Sequence, residues 1–547
     1  MNKVASYLQG HIAGEVFDGE AIRSTFSRDA SILTMKPSLV IYPRTTNDVR
    51  KVARFSWQLA EKGHILPITA RGGGSDLTGA AIGKGIILSF PAHLNRILEL
   101  DTKQKLVRVQ PGVNFKSLQE TLHTHGLFLP PFPASYEYST IGGAIANNSG
   151  GVKSYKYGSM RSWVERLEVV LANGEIIQTG PVSKKTLARK LGEPTLEGEL
   201  YRAAVGLANE NKAVFEAYFD QLRVPSDRVG YALDVLVRKN GSVDLTPLFV
   251  GSQGTLGIIT EAIIRVARYS PTSSLTVASF GSIREALEAA DEIGSMKPSV
   301  LELVDGDVYE FATKHFNITF PAELSISGVA PAALLFIECD DPSSKVKAKF
   351  TRQLNHILDD YSRQTITAKN FDELEKLWAL RYATSSVLRY KSSGHSFVPV
   401  IEDAAVPRDL LGAFIEDAKA LCKKHQVEAL VWAHVGPSNV HILPLVDMSK
   451  VSHKQTIFKL MDEYYRMVVK IGGSIASEHG DGRLRAPFTK LQVGETLTKV
   501  FNDLRKGVDP HGTLNPGVKT GATLKDVVDL LAHDYSLDKF SDVLPRM

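Results

Sequence analysis

"TARGGGSDLTGA", Thr69–Ala80, follows the short apolar run "ILPI" and puts three glycines in a row where a strand should end. Consecutive glycines let backbone N–H groups converge on an anion without Cβ obstruction. The spacing fits neither of the common phosphate motifs. A Rossmann fingerprint needs glycine where Leu77 stands, and no Gly-Lys-Ser/Thr follows to make a P-loop. Alone, the triple glycine reads equally as a turn or an anion cradle. A second stretch, "PPFPASYEYSTIGGAIANNSGG" (Pro130–Gly151), is long, irregular and rich in proline, glycine and asparagine. Loops of that length inside a compact domain are usually functional. Two such loops fit an extended cofactor, one at a diphosphate and one along its rings.

Around these loops, short apolar strands alternate with helical periods. "SLVIYPRT" (38–45) reads as a strand, and "TNDVRKVARFSWQLAEKG" as a helix capped by Thr46 or Asn47. "GIILSF", "KLVRVQPG" and "LEVVLANGEII" follow as strands, the last turning at Asn173-Gly174. "LFVGSQGTLGIITEAIIRVA" reads as strand, glycine-rich loop and strand. After Arg268 come two strand–helix units, then the strands "EALVWAH" and "VHILPLV", and from Ser452 a mainly helical stretch.

The 547 residues carry 64 basic against 60 acidic side chains, a balance that argues against nucleic acid as partner. Two cysteines, Cys339 and Cys422, exclude a disulfide framework and a cysteine-ligated cluster within the chain. The N-terminal stretch has no apolar core of a signal peptide, and no run reaches the ~20 apolar residues of a membrane span. The expectation is a cytoplasmic protein with at most peripheral contact at the inner membrane face.

Seven segments in order, "YPRTTNDV", "PITARGGGSDLTGA", "VQPGV", "GLFLPPFPAS", "STIGGAIANNSGG", "KYGSMRSWVERLEVVLANGE" and "GSQGTLGIITEAIIRV", resemble the FAD-binding domain of vanillyl-alcohol-oxidase/MurB-type flavoproteins. The resemblance is to the FAD-linked D-2-hydroxyacid dehydrogenases of D-lactate, D-2-hydroxyglutarate and glycolate type, and covers about residues 30 to 520. It implies an α+β fold: a two-subdomain FAD-binding domain (1–270), an α+β cap or substrate domain (271–450), and a C-terminal helical segment (451–547) returning to the flavin. It assigns Arg71, Gly72, Gly73, Gly74 and Ser75 to the diphosphate loop. Pro133, Ser135, Thr140, Gly142, Gly143, Asn147 and Gly150 fall along the flavin, with Tyr157, Gly158, Ile258, Ile259 and Asn515 as further contacts. Some relatives attach FAD covalently through a histidine where this chain has Ser75, so non-covalent FAD is expected.

A second constellation lies in "WAHVGPSNVHILPL" (Trp432–Leu445). A turn at Gly436–Asn439 would pair His434 with His441. Directly opposed residues of an antiparallel pair have Cβ atoms about 4.5–5.5 Å apart on one face. Two such imidazoles can share an ion at Zn–N distances of about 2.0–2.1 Å, although the hairpin alone favours a structural reading. "SIASEHGDGRLRAPF" (Ser474–Phe488) places Glu478, His479 and Asp481 within four residues, also readable as an acidic helix start. The resemblance brings these elements together at the flavin. It implies that His434, His441 and Glu478 ligate a divalent metal, zinc first with manganese or iron as alternatives, and that His479 is the base. Relatives read His-x-Gly-Asp-Gly-Asn-x-His here, whereas this chain has Pro437-Ser438 in place of Asp-Gly.

"LEKLWALRYATSSV" (Leu374–Val387) is helical in period. The resemblance puts the Arg381 guanidinium on the substrate carboxylate, a pairing that a planar two-donor fork suits. Ser385 follows one turn later. Relatives selective for a second carboxylate can carry a lysine before "EDAAVP", where this chain has Val400 and Ile401; Arg483 and Arg485 could compensate. The function implied is FAD- and metal-dependent oxidation of a D-2-hydroxyacid, D-lactate foremost, with His479 near neutrality taking the hydroxyl proton and flavin N5 the hydride. Electrons would pass to a quinone, an electron-transfer protein or an iron–sulfur subunit. The competing readings are D-2-hydroxyglutarate or glycolate oxidation, another oxidase or an ether-lipid synthase of the same fold, and a metal-dependent hydrolase.

Overall fold

In the computed structural model, which describes residues 3–225, 227, 229–316 and 320–537, three sheets carry the architecture. The first joins Glu15–Phe17, Leu39–Tyr42, Ile86–Ser89 and Ile68–Arg71, the last three parallel. Helix Thr46–Glu61 makes the crossover. Its cap is Thr45, one residue before the expected position, because Thr45 and Asp48 form a reciprocal capping box. The second sheet is antiparallel: Ile97–Asp101, Leu106–Val109, Ile258–Arg265, Val164–Val170 and Ile176–Gln178. Its last hairpin turns at Gly174, φ 87°, as the Asn-Gly signal predicts. "LFV" is not a strand: Thr246–Phe249 is a short helix with Pro247 in its first turn, where the missing N–H is not needed.

The third sheet runs Gln364–Thr367, Ser274–Phe280, Ala333–Cys339, Val300–Asp305, Ala429–His434, Asn439–Asp447, His395–Phe397 and Lys391–Ser392. Sequence reading missed Val300–Asp305, whose residues are all buried and so lack amphipathic alternation. Both faces of this sheet are covered. In Ala333–Cys339 the residues Leu334 and Phe336 pack into one core, and Ala333, Leu335, Ile337 and Cys339 into another, the period of two that a strand imposes. Helices Gly306–Phe316 and Phe371–Val387 contribute to the smaller core. The larger core is continuous with that of the N-terminal sheets, so the fold is α+β, with an N-terminal unit of two sheets joined to a C-terminal unit built on the third. No helix among the described residues is long and apolar enough to cross a membrane.

Candidate active site

Between the two units lies one elongated cavity of about 2060 Å³, open solvent at its mouth included. One side is built from the glycine-rich loops. Strand Ile68–Arg71 ends at the sheet edge and releases Gly72–Gly74. A Cβ on Gly72 would collide with Thr140 Oγ1, and one on Gly73 with the Tyr138 carbonyl, so only glycine lets the two loops touch. Gly74 has φ 75°, a conformation that side chains disfavour. Thr140 caps helix Ile141–Asn147 by accepting the Gly143 N–H. Arg71, Gly72, Gly73, Gly74, Ser75, Pro133, Ser135, Thr140, Gly142, Gly143, Asn147, Gly150 and Ile259 all line the cavity. A glycine cradle continuous with a long, largely apolar groove fits an extended dinucleotide such as FAD.

Four expected cofactor contacts are not among the residues that line the cavity. Tyr157 donates its hydroxyl to Asp340 Oδ2 at 2.9 Å. Gly158 ends a short helix with φ 73°. Ile258 is core, paired with Val170. Asn515 braces the glycine loop from behind, donating to the Ala80 and Gln253 carbonyls at 2.8 Å.

The other side of the cavity follows from strand register. Asn439 lies opposite His434 and Trp432 opposite His441, which corrects the expected direct pairing of the two histidines. The turn is Val435–Ser438, closed by Ser438 N–H to the Val435 carbonyl at 3.2 Å with Ser438 at φ 59°. The turn therefore comes one residue earlier, and the pairing shifts by two along one strand. A two-residue shift preserves the face, so the rings stay neighbours on a diagonal with centroids 5.1 Å apart. On the next strand Glu302 is directly opposite His434. All three side chains stand under helix Phe371–Val387, which carries Arg381.

Glu478 and His479 come from a loop held by Asp403, whose carboxylate accepts their N–H groups at 2.8 Å each. Asp403 is fully buried with φ 71°, a strained position for a non-glycine residue. The loop brings Glu478 Oε1 to 3.2 Å from His434 Nε2 and 3.3 Å from His441 Nε2. One donor atom from each of these residues lies within 4.8 Å of the others. The Nδ1 atoms face carboxylates, His434 toward Glu302 at 2.7 Å and His441 toward Glu402 at 3.2 Å. That arrangement leaves both Nε2 lone pairs free for a cation when the Nδ1 atoms are protonated. It could hold a divalent ion; a second overlapping set is Glu402, His441 and His479.

The two sides meet at Gly150, where a Cβ would stand 2.9 Å from Glu478 Oε2. Charge is dense here. Burial disfavours the charged form of His434, but Glu302 and Glu478 outweigh it and raise its pKa to about 9. For His479, burial is likewise overcome, chiefly by Glu402, whose Oε2 lies 2.7 Å from Nδ1, and by Asp403; its pKa rises to about 10. His479 is thus an imidazolium in the ion-free protein rather than near neutrality. Glu402 itself is held well below the carboxylate range despite burial, by His479 and Arg485.

Arg381 lines the cavity, but its fork is partly committed: Nε and Nη2 donate to Glu302 Oε2 at 3.0 and 2.6 Å, and Nη1 to Thr384 at 2.9 Å. Two of its five N–H donors remain. Ser385 also lines the cavity. Arg483 and Arg485 do not: the first bonds Gly79 and Asn515, the second Gly480 and Glu402. The exposed cation at the cavity is instead Arg389, 2.7 Å from the Tyr138 hydroxyl. Sequence reasoning missed Glu302, Glu402, Asp403 and Arg389. "EDAAVP" was in view as a landmark; that its acidic pair orients two histidines and a loop was not.

Known proteins place this geometry. The chain matches the FAD binding domain over residues 37–180 and the C-terminal domain of FAD linked oxidases over 270–518. It is 29% identical to the glycolate oxidase subunit GlcD of Bacillus subtilis (strain 168), over 91% of this chain and 93% of that one. It is 29% identical to a D-2-hydroxyglutarate dehydrogenase of Pantoea ananatis (strain AJ13355), over 92% of this chain but only half of that protein. A D-lactate dehydrogenase of Anaerostipes hadrus is 24% identical, with 92% and 94% covered. In fold it resembles p-cresol methylhydroxylase, at 15% identity and TM-score 0.69 over 96% of this chain and 97% of that one.

Proposed function

Because the chain belongs to the FAD-linked oxidases, we propose that it oxidises a D-2-hydroxyacid to the 2-oxoacid with FAD and a divalent metal, D-lactate being the leading substrate. The observation that supports the reading is that the glycine loops and the two-histidine corner line one chamber, with Gly150 close against Glu478. FAD would be held non-covalently by Gly72–Ser75 and the Pro133–Gly150 segment, and the ion, zinc first, by His434, His441 and Glu478. When bound, FAD supplies a hydride acceptor and the ion supplies Lewis acidity toward the substrate hydroxyl.

The chain's own groups do the rest. The two remaining Arg381 donors receive the C1 carboxylate, which fixes the direction of C2 and selects one enantiomer. His479 takes the hydroxyl proton at Nε2, while Glu402 holds Nδ1. Glu402 and Asp403 hold this ring protonated in the ion-free protein, and a cation held by His434, His441 and Glu478 would oppose that charge. Trp432 and Leu443 give the chamber apolar walls. Val400 and Ile401 are buried in the core and do not line the chamber, so they do not select the substrate. Glycolate and 2-hydroxyglutarate are the alternatives, the latter only with Arg389 at its distal carboxylate. Electrons then leave to a quinone, an electron-transfer protein or a partner subunit.

Anaerobic loss of the flavin's visible absorbance across D- and L-2-hydroxyacids tests this. D-lactate should bleach the enzyme fastest, and chelation should abolish bleaching while leaving FAD bound. Bleaching by no 2-hydroxyacid, or indifference to chelation, defeats the substrate or the metal reading respectively.

A further inference from the structure

The match to the oxidase C-terminal domain stops at residue 518, yet the chain continues and reaches the wall of the chamber at Leu537. After helix Leu524–Asp529, residues 530–532 run antiparallel to 32–34, with Thr34 N–H on the Leu530 carbonyl at 2.8 Å and Ala532 N–H on the Ile32 carbonyl at 2.9 Å. Arg28 then grips Asp534 at 2.6 Å. Tyr535 is buried and donates its hydroxyl to the Ala30 carbonyl at 3.0 Å, while its own carbonyl accepts from Ser396 at 3.0 Å. Ala30 is bonded to the glycine loop through the Gly74 carbonyl, and Ser396 belongs to the strand beside the one that carries His441. One short segment therefore ties the diphosphate loop to the metal-corner sheet, and its Leu537 lines the same cavity as Ala30.

We propose that residues 530–537 are part of the cofactor site: a strap that closes the seam between the two units, with Leu537 as an apolar wall retaining FAD. Tyr535 acts as a positioning residue, setting where that wall stands. The inference rests on FAD binding and not on which acid is oxidised, so no result with substrates bears on it.

The test is the rate at which the holoenzyme releases FAD on dilution, read as the rise of free-flavin fluorescence. Truncating a leucine-sized wall should cost on the order of tenfold in retention. L537A should therefore release FAD about tenfold faster than the parent, and L537M, which keeps the volume, should stay within about twofold. If L537A misfolds, R28A and D534A, which loosen the strap from its exposed end, should each speed release. Equal release from parent and L537A, equal speed of L537M and L537A, or unchanged release in both R28A and D534A overturns the proposal.

Discussion

At the scale of single residues, His434, His441 and Glu478 are joined in one reading only through the family resemblance, since their spacing alone favours a structural hairpin and an acidic helix start, and their supporting carboxylates give no signal in the sequence. Glu302 is 132 positions from His434, and only strand pairing brings them together. Carboxylates behind metal-binding histidines raise ligand basicity, and their loss costs 10–100-fold in affinity. Glu302→Gln should therefore weaken zinc binding by about that factor in a chelator competition; an unchanged constant would count against a metal corner oriented by Glu302. His479 supplies a pH signature. Its pKa in the folded, ion-free protein is about 10 against 6.5 as reference. The stabilisation is complete below about pH 6.5 and is lost as pH rises through 10. Chelated protein should melt at progressively lower temperature across that window, and His479→Gln should make the profile shallower, leaving the part that His434 contributes. A flat profile in the parent would mean that Glu402 does not hold this ring charged.

At the scale of elements, period and turn chemistry carried most of the fold, and errors cluster where a turn or a doubly buried strand decided the answer. The histidine hairpin is the instructive case. Its turn begins one residue earlier than the Gly-Pro-Ser-Asn stretch suggests, and Pro437-Ser438 places a serine in a left-handed position usually left to glycine. Ser438 is 2% exposed and its hydroxyl has no hydrogen-bond partner among the described residues. Ser438→Gly removes both the backbone strain and the unsatisfied buried group, and should stabilise the protein by about 1 kcal/mol in denaturant unfolding. Destabilisation would show that the hydroxyl is used. Arg381 was read correctly as a helical residue, yet its pairing with Glu302 could not be foreseen, since that partner strand was itself missed.

At the scale of the whole molecule, the active chamber belongs to neither unit alone. The glycine loops lie between residues 71 and 150, and the corner between 302 and 485. Ligand that binds only the assembled seam must stabilise the native state: FAD at a hundred times its dissociation constant should add about 2.7 kcal/mol, seen as a higher melting temperature in the holoprotein. Equal melting of apo and holo forms would indicate that the units are not coupled through the cofactor. The division of labour also has a bearing on maturation. His434 and His441, with Glu302, Glu402 and Asp403, reside in the C-terminal unit, whereas the loop that carries Glu478 goes on to bond the first glycine-rich segment, Arg483 and Leu484 N–H on the Thr78 carbonyl. If the corner holds an ion as proposed, its glutamate comes into place only as the two units dock. Metal supply and flavin supply would then converge on one assembly step, the closing of the seam.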